Sequence, residues 1–203
     1  MSAFLGPIHH WLYNKIQLQE ELISEILLTA AREGWDILSV EGISADGVNP
    51  ALPSLDSSID LGNIHGWLQW QIGLSEAKYA QLVTGLLGGG PERILVLEKA
   101  AYAFGQRHSI DTQADPAAAY QALNDSLLDG MPCDHVNQIT TQGEGSLSWQ
   151  RTERLHDVYW NQAGGDAEVY YTLRSWLIAG MLDGSSVSFL SVGDGAFELR
   201  KGA

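Results

Sequence analysis

The chain has 203 residues, 45% of them apolar and 18% charged, a globular balance with room for one domain or two small ones. Its 25 acidic and 11 basic side chains give a net charge of −14, which excludes a general nucleic-acid binder, because phosphate contacts need clustered Lys and Arg. A single cysteine excludes an internal disulfide framework and an all-cysteine zinc or iron–sulfur centre.

The opening run MSAFLGPIHHW has neither the basic n-region nor the small-residue cleavage site of a secretory signal. No apolar run approaches the roughly 18 residues that span a bilayer. A reduced, cytoplasmic protein without a membrane partner is therefore expected. The acidity is uneven. Residues 1–135 carry 17 acidic and 6 basic side chains, a net of −11, whereas residues 136–203 carry 8 and 5, a net of −3.

In chain order, Leu5, Ile8, Leu12, Ile16, Gln19, Ile23, Ile26, Leu27 and Ala30 recur at helical spacing, with Pro7 suited to the first turn and Gly34 to the C-terminal cap. From Asp36 to Ser58 the periodicity breaks at Gly42, Gly47, Asn49-Pro50 and Pro53, which predicts a long loop with a short strand at Ile37 to Val40. Asp60 then caps a helix ending at Gly73, and Ser75 a second one stopped by Gly88-Gly89-Gly90. Pro91 opens a helix through Phe104, and Asp115-Pro116 opens another through Leu128.

After Gly130 the pattern turns to strands. Val136 to Thr141 is β-rich, Gln142 to Gly145 makes a hairpin turn, and the return arm places Leu147, Trp149 and Arg151 on one face. Asp166 caps a helix carrying Tyr170, Leu173, Leu177 and Met181, and a closing hairpin turns at Gly193-Asp194-Gly195. The expected fold class is α+β: an N-terminal helical layer of about five helices over residues 1–135, then a ββαββ unit with a small antiparallel sheet over residues 136–203, packed as one compact unit. The helix and hairpin from Leu173 to Leu199 resemble in pattern the last third of small-molecule sensor domains of the vinyl-reductase and haem-nitric-oxide type. That resemblance lacks the cysteines some of those domains carry, and it assigns no residue.

The candidate chemistry lies with histidine and cysteine. His9 shares a helical face with Leu5, Leu12, Tyr13 and Ile16, and His65 with Leu61, Leu68 and Ile72, so both imidazoles are expected to face apolar neighbours and to need a partner. Cys133 and His135, two apart, can ligate one ion. With His9 and His65 they form a Cys/His set of the kind zinc or iron prefers. The same cysteine can serve as a nucleophile with a histidine base. Trp67 and Arg174 are the candidate contacts for a bound small molecule, Arg174 either pairing with an interior carboxylate or gripping an anion. Gly88-Gly89-Gly90-Pro91 lacks the Lys-Ser/Thr of a phosphate loop and follows no strand, which argues against nucleotide.

Three functions follow from these residues. The first is a small-molecule- or metal-binding protein with its site between the helical layer and the sheet unit. The second is a thiol- or metal-dependent hydrolase using Cys133. The third is an interaction module that forms a homodimer through a sheet edge or apolar face.

Overall fold

The computed structural model describes residues 4–37, 40 and 52–202. Helix α1, Pro7–Arg32, buries Leu12, Ile16, Ile23, Ile26, Leu27 and Ala30 along one stripe. It ends as its glycine predicts. Gly34 takes φ +69°, and the Trp35 N–H reaches back to the Ala30 carbonyl at 2.9 Å. The strand expected at Ile37 to Val40 falls partly, and the loop after it mostly, outside the described residues. Within the end of that loop a short helix α2, Leu55–Ser58, tucks Leu55 against Leu12, Tyr13 and Ile16.

The two helices expected on either side of Gly73 are one, α3, Ile64–Gly88. A glycine in a helix interior costs only about 1 kcal/mol, and the apolar face that continues from Leu68 and Ile72 to Tyr79, Val83 and Leu86 outweighs it. Asn63 rather than Asp60 caps this helix, its Oδ1 accepting from the Gly66 N–H at 3.2 Å. Ser75, expected as a cap, is buried mid-helix. A 3-10 turn at Pro91–Arg93 leads into α4, Ile94–Arg107. Asp115 caps α5, Pro116–Ser126, as expected, accepting from the Ala118 N–H at 2.8 Å.

The C-terminal part holds β1 Asn137–Gln142, β2 Ser146–Arg151, α6 Asp157–Gln162, α7 Ala167–Met181, β3 Val187–Gly193 and β4 Ala196–Lys201. The strands form one antiparallel sheet in the order β1-β2-β4-β3, so the α+β class and the small four-stranded sheet are as read from the sequence. Helix α6 was not anticipated; its buried Trp160 ties the connection after β2 into the core. On the inner face of the sheet Leu147 pairs with Leu199 and Trp149 with Phe197, and α5 and α7 pack over this face. One continuous apolar core takes in residues of α1, α3, α4, α5, α6, α7, β2, β3 and β4. Among the described residues no helix is long and apolar enough to cross a membrane.

Helix α7 lies tightest against α4, and two glycines set the approach. A Cβ on Gly105 would overlap the Leu177 carbonyl oxygen, and one on Gly180 the Tyr102 carbonyl oxygen. Backbone cannot yield as a side-chain tip can. Gly105→Ala or Gly180→Ala is expected to lower stability by about 2 kcal/mol or more in urea denaturation. Gly88→Ala, where a Cβ meets open space, serves as the control and leaves stability unchanged or raises it slightly.

Candidate functional site

Four elements and two connections send polar side chains to one buried line. Gln19 of α1 donates from Nε2 to Glu76 Oε1 of α3 at 3.1 Å. Glu76 Oε2 meets His156 Nδ1 at 2.9 Å, just before α6. His156 Nε2 stands 3.6 Å from Asp129 Oδ1, an ion-pair distance beyond a good hydrogen bond. Arg174 of α7 and Asn137 of β1 each donate to Asp129 Oδ2 at 2.8 Å. Arg174 also donates from Nη1 to the Tyr170 hydroxyl at 3.1 Å, and the Tyr170 ring stacks on His156 at 3.8 Å. Glu76 and His156 are only 2% and 3% exposed.

The line alternates carboxylate, imidazole, carboxylate and guanidinium, and this alternation is what makes it tolerable in the interior. Burial works against the charge on Asp129, but Arg174 and His156 overcome it and hold the carboxyl well below its usual range. Burial likewise opposes a charged His156, yet Glu76 and Asp129 together raise its pKa above 6.5. Both imidazole nitrogens face carboxylates, so His156 has no free nitrogen for a substrate.

A raised folded-state pKa stabilises the protonated form. That contribution is complete below the unfolded value of 6.5 and is lost as pH rises through the folded value. Lys15, whose pKa burial lowers to about 8, contributes with the opposite sign above that pH. The comparison that isolates the imidazole is wild type against His156→Gln. The difference in Tm between them is expected to shrink as pH rises from 6.5, as followed by circular dichroism.

At the outer end of this line a pocket of about 240 Å³ opens between α5, α7 and the inner face of the sheet. Its aromatic wall is continuous. Trp149 lies 5.1 Å from Tyr120 edge-on, 5.5 Å from Phe197 and 6.0 Å from Phe189, ring centre to ring centre. Three of the chain's seven arginines, Arg151, Arg154 and Arg174, also line it. The acidic residues Asp129, Glu168 and Asp194 line it as well, so what matters is how each arginine is paired.

The three arginines are not equivalent. Arg174 is held by Asp129 at 2.8 Å. Arg154 is held by Asp157 at 2.8 Å and by Glu168 at 2.7 Å. Arg151, the last residue of β2, has no carboxylate partner among the described residues, and its buried Nε has no hydrogen-bond partner there. Its guanidinium instead lies 4.1 Å over the Tyr171 ring and 5.1 Å from that of Phe197. Burial and then the neighbouring Arg174 charge depress its pKa, the signature of a cation lacking an anion. The Asp194 carboxylate also lines the pocket, from the exposed turn between β3 and β4.

The four residues expected to hold a metal are not brought together. His9 and His65 do meet, their rings 5.6 Å apart. His9 Nδ1, however, accepts the Gly6 N–H at 2.9 Å, closing the first turn of α1, and His65 is exposed rather than set among apolar neighbours. Cys133 lies exposed in the 3-10 turn Pro132–Asp134, with Asp134 Oδ1 at 4.0 Å from its sulfur, and His135 is exposed beside it at φ +49°. Among the described residues no three His, Cys, Asp or Glu side chains converge as a metal-ligand set. Trp67 packs on Tyr13 in the second apolar cluster, away from the lining of the arginine pocket, whereas Arg174 sits in that lining.

Sequence reasoning missed Arg151, Glu76 and Asp129. A signal existed for two of them. Arg151 shares a strand face with Leu147 and Trp149, and Glu76 follows Ile72 by four on the apolar face of α3. Compared with protein-family models, curated proteins and solved structures, the chain matches none.

Proposed function

We propose that this chain binds a small organic anion in the pocket between α5, α7 and the sheet. The acidic group sits against Arg151, beside Arg174, and the apolar body lies on Trp149, Phe189 and Phe197. The observation that carries this reading is Arg151: a half-buried guanidinium stacked on aromatic rings, with no ion-paired carboxylate among the described residues, in a pocket of ligand-like lining. An arginine there is costly for the empty protein and favourable once a carboxylate or phosphate arrives. The Glu76–His156–Asp129 line fixes Arg174 from behind, so the second guanidinium is positioned before the ligand enters. An exposed free cysteine, Cys133, agrees with a reducing, cytoplasmic setting for such a protein.

The test is calorimetric titration with benzoate, phenyl phosphate and the neutral isostere benzamide. Benzoate and phenyl phosphate are expected to bind with Kd on the order of 1 mM, as their few heavy atoms allow, and benzamide about tenfold more weakly or worse. Equal affinity for all three, or none for any, contradicts the proposal.

A further inference from the structure

On the other side of Asp129 lies a second cavity, of about 200 Å³, between α1, the end of α5 and the start of β1. Ile8, Trp11, Asn124, Asp129 and Asn137 line it, and so does Lys15. A lysine is an unusual residue here. Lys15 is only 3% exposed, yet among the described residues no acceptor takes a hydrogen bond from its amine and no carboxylate forms an ion pair with it. The amine rests 4.0 Å over the Trp11 ring instead. Trp11 is itself fixed, donating from Nε1 to Asp125 Oδ1 at 2.8 Å.

We infer that Lys15 is an imine-forming amine, which condenses with the carbonyl carbon of a small aldehyde or ketone admitted to this cavity. The lone pair of Nζ attacks the carbonyl carbon and a C–N bond forms. The carbonyl oxygen leaves as water with two protons, and a C=N bond remains. When protonated the imine carries the positive charge the lysine had, and Asp129, on the wall of the same cavity, is its counter-charge. No oxidant or reductant is needed. This assignment stands apart from the anion pocket, because it uses a different cavity and a different cation.

The charges that reach Lys15 settle how much free amine it holds. Burial disfavours its ammonium form most. Asp129 and Asp125 favour it, Arg174 disfavours it, and His135 lies on the cavity wall; the balance brings its pKa down to about 8. At pH 7 about a tenth of Lys15 is then unprotonated, against less than about 0.1% of an ordinary lysine. Lys99 and Lys201 are exposed and serve as internal references.

The experiment treats the intact protein with formaldehyde and cyanoborohydride at pH 7, stops at partial conversion, and maps the methylated lysines by peptide mass spectrometry. Lys15 is expected to react at least about tenfold faster than Lys99 and Lys201, because more of it is free amine. Repeated in denaturing urea, that preference is expected to vanish. Lys15 reacting at the pace of the exposed lysines or slower, or a preference that survives in urea, overturns the inference.

Discussion

Replacing Asp129 by alanine is expected to cost about 3–5 kcal/mol of stability, the largest effect of any polar substitution in the chain. The carboxylate is the hinge of the buried line, meeting Arg174 and Asn137 through Oδ2 and His156 through Oδ1. Without it a mostly buried guanidinium and a buried imidazole lose their common counter-charge. Urea denaturation read by circular dichroism checks the loss, with the slope of the transition showing whether the denatured state also changed. The double variant Asp129→Ala/Arg174→Met removes the charge that the single variant strands, so it should be more stable than Asp129→Ala alone. Additive losses would mean that the two groups are not coupled.

Arg151→Met is expected to do the opposite: leave stability nearly unchanged and remove binding. Among the described residues the guanidinium has no ion pair to lose, and its removal relieves the repulsion from Arg174. A charge-assisted hydrogen bond to a ligand contributes about 1.5–3 kcal/mol, so benzoate affinity should fall by about 10- to 100-fold. Arg151→Lys retains the charge but not the planar fork, and should fall between the two. A destabilised Arg151→Met protein with intact benzoate binding would show that the arginine serves the fold.

The fold was largely legible because its signals are local. Pro7, Gly34, Asp115 and Asp166 mark helix ends by backbone chemistry that tertiary contacts did not override. Gly73 misled because a lone glycine is a weak stop when the apolar stripe runs through it. The site was not legible in the same way. Glu76, Asp129, His156 and Arg174 are 18 to 98 residues apart along the chain, and only folding brings them together. Histidine spacing on α1 and α3 placed both rings among apolar neighbours; the His9 and His65 rings do lie 5.6 Å apart, but His65 is exposed, and the spacing could not show that a backbone amide already engages His9. Arg151 was written in the alternation of β2, where a cation on a buried face asks for an anion.

The most direct test of the anion pocket is to follow the indole N–H resonances by NMR during a benzoate titration. Of the seven tryptophans, Trp149 is the one on the pocket wall, while Trp70 and Trp176 are exposed elsewhere. Anion binding at Arg151 gives a saturable shift of the Trp149 indole, with Trp70 and Trp176 unmoved, and that shift is lost in Arg151→Met. A Trp149 resonance that stays fixed at saturating benzoate, or that shifts equally in Arg151→Met, would contradict it.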